Sequence, residues 1–164
     1  MKILFFILCS VIMSTKTMAN VNTIGRLGVG FSNQFVNEVE AVSFKIQKSR
    51  STAIGILLGF KSEEETSYGI GIKIFRNLYE EPKMRFFMAG LFGAVSDQVD
   101  NGTTTETESG IQVDATFGSE FHFSGIESLG FSMEFGASMN TVGSETTIQT
   151  MGHNFLKAAV HFYL

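Results

Sequence analysis

The chain has 164 residues, 44% of them apolar and 12% aromatic, with 17 Phe, 17 Gly, one Pro, one Cys and no Trp. That length supplies one domain. Charged residues make up 17% and the formal net charge is −4, which argues against a disordered chain and against a strongly basic nucleic-acid binder.

Residues 1–19 read as a cleaved secretory signal: Met1-Lys2 gives a positive start, Ile3 to Met13 an apolar run, and Thr17-Met18-Ala19 a small-residue end. The run is too short to cross a bilayer as a helix, and no later stretch reaches the roughly 20 apolar residues a crossing needs. Cys9 falls within this leader and Leu8 before it is not small, which argues against lipoprotein processing. The mature chain, 20–164, then has no cysteine, and its stability cannot come from disulfides. Losing Lys2 and Lys16 leaves it more acidic than the whole.

After Ala19 the apolar period is two, the signature of half-buried strands. Leu27, Val29 and Phe31 mark a first strand, and Val42, Phe44 and Ile46 a second. Ile54, Ile56, Leu58 and Phe60 mark the third, and Tyr68, Ile70, Ile72 and Ile74 the fourth. The fifth, Met84 to Val95, is ambiguous. With Phe86, Met88 and Phe92 on one face, Arg85 takes the other, together with Phe87 and Leu91. The sixth is the clearest: Ile111, Val113, Ala115, Phe117, Ser119, Phe121 and Phe123 alternate with Gln112, Asp114, Thr116, Gly118, Glu120 and His122. The seventh alternates Leu129, Phe131, Met133, Phe135, Ala137 and Met139 with small and polar residues. The eighth runs from Leu156 to Leu164, with Val160 and Phe162 on its apolar face. Eight is an even number, as antiparallel closure of a bacterial membrane barrel requires.

The links after the second, fourth and sixth strands are short, around Lys48 to Ser51, Glu80 to Lys83 (with the sole proline, Pro82) and Ser124 to Ser128. Those after the odd strands are mostly longer, above all Ser96 to Ser109 and Asn140 to Gly152. Short turns on one side, with both chain ends, and long polar loops on the other are the arrangement of an outer-membrane barrel.

Residue type decides which face looks outward. One face carries Phe, Ile, Leu, Val and Met almost without charge, and lipid can satisfy no polar group, so this is the face expected to meet lipid. The other face carries Arg26, Lys45, Lys73, Arg85 and Lys157 against Asp114, Glu120 and Glu134, with Gly28, Gly30, Gly55, Gly69, Gly71, Gly118, Gly130 and Gly136. An eight-stranded interior is just wide enough for side chains to fill, so the expectation is an ion-paired plug with no open pore.

These features resemble the small eight-stranded outer-membrane barrels of Gram-negative bacteria, over the whole mature chain. The resemblance implies an all-β, up-and-down transmembrane barrel, monomeric and without a cofactor. It also implies a terminal strand, Leu156 to Leu164, read by the barrel insertion machinery through Phe162 and Leu164 by strand addition. Two departures stand out: the last residue is Leu164 where that signal usually ends in an aromatic, and without Trp the interfacial girdles fall to Phe, Tyr68, Tyr79 and Tyr163.

Candidate chemistry is sparse. His122 and Ser124 with Glu134 invite comparison with lipid A 3-O-deacylases, but His122 points to the polar face beside a short link, on the side opposite the outer leaflet, and reads better as a satisfied lumen histidine. Asp114, Glu120 and Glu134 could do acid/base work, yet opposite charges buried together need one another, which favours a salt-bridge network. His122, His153 and His161 are too scattered for metal ligation. Glu38, Glu40, Glu63, Glu64, Glu65, Asp97, Asp100, Glu106, Glu108 and Glu145 gather on or beside the longer links; a calcium site or receptor loop is conceivable, and a hydrated surface is the ordinary reading. Asn101-Gly102-Thr103 matches a glycosylation pattern but reads better as a turn, and the Gly-x-Gly pieces Gly28-Val29-Gly30 and Gly69-Ile70-Gly71 lie within expected strands, not before helices. The resulting expectation is a non-catalytic outer-membrane barrel serving envelope structure or surface interaction through its long loops, where an extracellular ligand would bind. The competing readings are a lipid-modifying enzyme on the same fold and a soluble periplasmic barrel binding an apolar ligand. A narrow ion channel is a variant of the first reading.

Overall fold

The computed structural model describes residues 22–62, 66–100, 105–142, 145–150 and 156–164, the side chains of 99, 100, 105 and 106 excepted. The leader, Glu63 to Glu65, Asn101-Gly102-Thr103 and His153 lie outside the described residues, as do the side chains of Asp100 and Glu106.

The strands are β1 (Leu27–Ser32), β2 (Ala41–Gln47), β3 (Thr52–Ser62), β4 (Thr66–Glu81), β5 (Met84–Asp100), β6 (Thr105–Phe123), β7 (Ile126–Val142), β8 (Glu145–Thr150) and β9 (Lys157–Tyr163). β1 to β7 pair in sequence, each antiparallel to the next, and β9 closes the ring by pairing with both β7 and β1. The result is an eight-stranded antiparallel barrel with one extra strand. Closure leaves the ring without free edges, so its backbone donors and acceptors are satisfied around the wall.

The extra strand is β8, which forms inside the stretch expected as a loop from Asn140 to Gly152. It pairs with the upper half of β7, from Ala137↔Thr150 to Val142↔Glu145, while β9 pairs with the lower half of the same edge, Leu129 to Glu134. The expected loop from Ser96 to Ser109 is likewise mostly strand, with β5 and β6 laddered up to Asp100↔Thr105. Thr-rich polar sequence is compatible with a hairpin when both its faces meet water. The third link is also shorter than expected, since β3 runs to Ser62 and β4 begins at Thr66. At the opposite end the turns are tight: Pro82-Lys83 joins β4 to β5, and Ser124-Gly125, with Gly125 at φ +86°, joins β6 to β7.

Side chains alternate between lumen and exterior along each wall strand. The outward set comprises Leu27, Val29, Phe31, Val42, Phe44, Ile46, Ile54, Ile56, Leu58, Phe60, Ile70, Ile72, Ile74, Phe117, Phe121, Phe131, Met133, Phe135, Val160 and Phe162, all half-buried or exposed. β5 resolves the ambiguity of the fifth strand: Phe86, Met88 and Phe92 face out, and Arg85, Phe87, Ala89 and Leu91 face in. The interior is therefore not wholly polar. Phe87 packs edge-on against Phe75 at 5.3 Å beside Ala53 and Ala89, and Leu57, Leu91 and Val95 form a second apolar cluster with Phe35 and Ala41.

The seam between β1 and β9 tolerates no side chain at Gly30. A Cβ there would stand 1.6 Å from the Val160 carbonyl oxygen and 2.8 Å from the His161 Cα, both backbone atoms that cannot rotate away. At neighbouring Gly28 the nearest atoms belong to the Tyr163 ring, at 2.9 Å, a far milder contact and with a side chain instead of backbone. Gly30→Ala is therefore expected to prevent closure, abolishing the compact fast-migrating form on unboiled gels, whereas Gly28→Ala retains it.

Candidate functional site

Buried chemistry-bearing side chains concentrate in the lumen, where two polar layers sandwich the Phe75–Phe87 pair. Nearer the tight turns, Glu120 of β6 is fully buried and collects its donors from four strands. Lys45 of β2 forms an ion pair with its Oε2, and the Tyr163 hydroxyl of β9 donates to both oxygens at 2.9 and 3.0 Å. His122 Nε2 lies 3.1 Å from Oε1, and Arg85 Nη1 reaches Oε1 at 3.5 Å while its Nη2 binds Glu80 at 3.1 Å. A carboxylate stripped of water survives as an ion only with such compensation. The Lys45 ammonium also lies 4.4 Å from the Phe75 ring centroid, and Lys73 reaches the same ring at 5.1 Å, so one phenyl serves two cations.

Toward the other end, Lys73 of β4 pairs with Glu134 of β7 at 2.5 Å, and the Thr116 hydroxyl donates to the same carboxylate oxygen at 2.9 Å. Asp114 is held by neutral donors: Gln34 at 2.9 Å, Gln112 at 2.9 and 3.0 Å, and Ser138 at 2.7 Å. Lys157 donates to the Phe35 carbonyl at 3.3 Å rather than to a carboxylate.

Of the eight charged residues read as one network, the structure joins Lys45, Arg85 and Glu120 in one group, and Lys73 with Glu134 in another. Arg26 stands outside both. It precedes β1 and caps the end of the chain, donating to the Leu164 carbonyl at 3.2 Å, to Ser128 at 3.0 Å and to the Tyr163 carbonyl. Leu164 in turn donates its N–H to Leu27 at 2.9 Å, and Phe162 faces outward.

Sequence patterning also misses the link 33–40, which turns into the lumen instead of standing above it. Gln34, Phe35 and Val39 are buried there, and Glu38 takes a left-handed backbone (φ 58°) that helps return the chain to the wall. Gln34 bridges Lys73 (2.8 Å) to Asp114, Gln112 clasps the link through the Val36 N–H (3.0 Å) and the Gln34 carbonyl (3.2 Å), and Asn37 binds Asp97 at 3.0 Å. The Phe35 ring sits in a cradle of glycines. A Cβ on Gly59, Gly69, Gly71 or Gly93 would come within 2.9 to 3.4 Å of it. Four inward glycines opposite one phenylalanine in a polar link are the signal that could have found this inward turn.

Both ring nitrogens of His122 are engaged, Nε2 by Glu120 and Nδ1 by the Glu127 carbonyl at 2.9 Å, while exposed Ser124 contacts Lys83. Ser124 and His122 thus do not form a nucleophile–base pair. A Ser–His contact does occur between Ser43 and His161 Nε2, 2.9 Å apart, but both are buried in the wall and His161 Nδ1 has no partner among the described residues.

Among solved structures the chain resembles the N-terminal β-barrel domain of Pseudomonas aeruginosa OprF, with a TM-score of 0.63 over 85% of this chain and 96% of that one, at 7% sequence identity. The likeness is one of fold. No family model and no curated protein matches the chain.

Removing one member of a fully buried ion group leaves its partners charged and unpaired. Glu120→Ala is expected to destabilise the barrel by about 3–5 kcal/mol, read from urea unfolding in lipid vesicles by tyrosine fluorescence.

Proposed function

We propose that this chain is a non-catalytic integral barrel of the bacterial outer membrane, held in lipid by its outer face and serving envelope structure or surface interaction through its loop end. The observation that carries the reading is the inversion of the barrel. Between the levels of Phe31, Phe60, Tyr68 and Ile111 above and Leu27, Ile46, Ile54 and Phe121 below, no described outward side chain is charged. Charged residues of both signs are packed in the lumen instead. An exterior of this kind is far larger than the apolar patches that water-soluble monomers tolerate, and hydrocarbon is the solvent it fits.

The size of the band agrees. From Ile111 to Phe121 of β6 the chain advances roughly 33 Å along a strand that, at a tilt near 40°, spans about 25 Å, the height of the apolar band of outer-membrane barrels. In this orientation the tight turns and the described chain ends face the periplasm, and the β5–β6 and β7–β8 hairpins project outward with Asp97, Glu108 and Glu145. The lumen, filled from both layers and closed over by Phe35, serves as a structural core.

The test is heat-modifiable mobility in a detergent-extracted outer-membrane fraction. A faster band in the unboiled sample supports the reading, and recovery in the soluble fraction without a mobility shift overturns it. Phe117 and Phe135 face each other across β6 and β7, 49% and 50% exposed with ring centroids 6.3 Å apart. Phe117→Arg or Phe135→Arg is expected to lose about 2–4 kcal/mol on refolding into vesicles.

A further inference from the structure

The described part of the chain holds ten Lys and Arg side chains, and seven of them are engaged: Arg26, Lys45, Lys73, Lys83, Arg85 and Lys157 in the contacts given above or with Ser124, and Lys61 with a further partner. The three whose charged heads have no partner among the described residues, Lys48, Arg50 and Arg76, belong to one place.

That place is the outward face beside the β2–β3 turn. Ile46, Ile54 and Ile74 stand in one lateral row across β2, β3 and β4. One step toward the turn, the next outward row holds Lys48, Thr52 and Arg76: the Lys48 N–H donates to the Thr52 carbonyl at 3.0 Å, and Thr52 is the register partner of Arg76. Adjacent strands lie about 4.8 Å apart, so the Lys48 and Arg76 backbones are about 10 Å apart and their long side chains can close on one anion between them. Arg50 is brought to the same spot because the turn is pinned against β4, with Asn77 donating its backbone N–H to Ser51 (2.9 Å) and its side chain to the Arg50 carbonyl (2.6 Å). Hydroxyls fill the space between: Ser49, Ser51 and Thr52 stand 3.3 and 3.4 Å apart in a chain. The other two tight turns differ: one sets Glu80 and Glu81 beside Lys83, whose ammonium is engaged with Ser124, and the other carries Glu127.

We propose that this face binds the phosphate headgroup of an anionic glycerophospholipid, its acyl chains lying along Ile46, Ile54 and Ile74. The proposal rests on the membrane reading above. The isoleucine row selects a lipid over a free phosphate, because only a lipid places a phosphate and hydrocarbon in register one strand step apart. The cations supply attraction with no ion-pair partner among the described residues, and Arg50 and Arg76 offer the fork of donors that phosphate oxygens accept.

The test is native mass spectrometry of the folded barrel released from non-ionic detergent with added phosphatidylglycerol or phosphatidylcholine, each sample also run unboiled and boiled on a gel. Wild type is expected to retain phosphatidylglycerol in preference to phosphatidylcholine. The variant Lys48→Gln/Arg50→Gln/Arg76→Gln should bind it about fivefold more weakly for each charge removed, and Lys61→Gln/Lys83→Gln should bind like wild type. Equal retention of the two lipids by wild type, or undiminished phosphatidylglycerol binding by the triple variant, overturns the site while a persisting folded band leaves the membrane reading intact. Displacement by equimolar soluble glycerol phosphate would make it a free-phosphate site and overturn the lipid assignment. Loss of the folded band in wild type overturns the membrane reading and takes the site with it.

Discussion

Charge buried in a closed ring of eight strands has no water to fall back on, and the Glu120 carboxylate is where this constraint is most severe. It is fully buried, and its four direct partners Lys45, Arg85, His122 and Tyr163 come from four different strands, with Arg85 bound in turn to Glu80 of β4. Each contact is satisfied only if β2, β5, β6 and β9 hold their register, because a slip of one residue turns a side chain from lumen to exterior. The ion group thus couples the position of the last strand to that of the second. Lys73 and Glu134 do the same between β4 and β7.

The two layers communicate through an aromatic pair rather than through further charge. Phe75 lies under both lysine ammonium groups, and its edge-on contact with Phe87 fills the cross-section between the layers. Above them the inward link seats Phe35 among glycines and lends Gln34 to the Lys73–Asp114 bridge. The narrow lumen is consequently packed in the manner of a soluble protein's core, with amides and charges standing where aliphatic chains would be, while the aliphatic chains stand outside.

Much of this architecture is legible in the sequence, and the parts that are not share a cause. Ile111 to Phe123 reads cleanly because every outward position is apolar or small and every inward one polar or glycine, so period two is unbroken. The fifth strand blurs because Phe87 and Leu91 face inward to meet Phe75 and Phe35, an apolar demand created by other strands that local alternation cannot reveal. The same holds for the link 33–40, whose burial depends on Gly59, Gly69, Gly71 and Gly93 far along the chain. The alternation puts Arg26 on the polar face with the lumen charges, whereas its position before β1 sets it against the Leu164 and Tyr163 carbonyls. β8 hides in a Thr-rich stretch because a strand with both faces in water needs no apolar period.

The central claim is that the barrel is inverted, with hydrocarbon outside and side chains filling the inside, and β6 offers the most direct test. Spin labels attached to single cysteines introduced in turn from Gln112 to Phe117, in vesicles, report collision with oxygen, which concentrates in hydrocarbon, and with a water-soluble nickel chelate. The account predicts that labels at 113, 115 and 117 collide with oxygen and escape the chelate, while those at 112, 114 and 116 are immobilised and shielded from both. Collision of the chelate with labels at 113, 115 and 117 would contradict it.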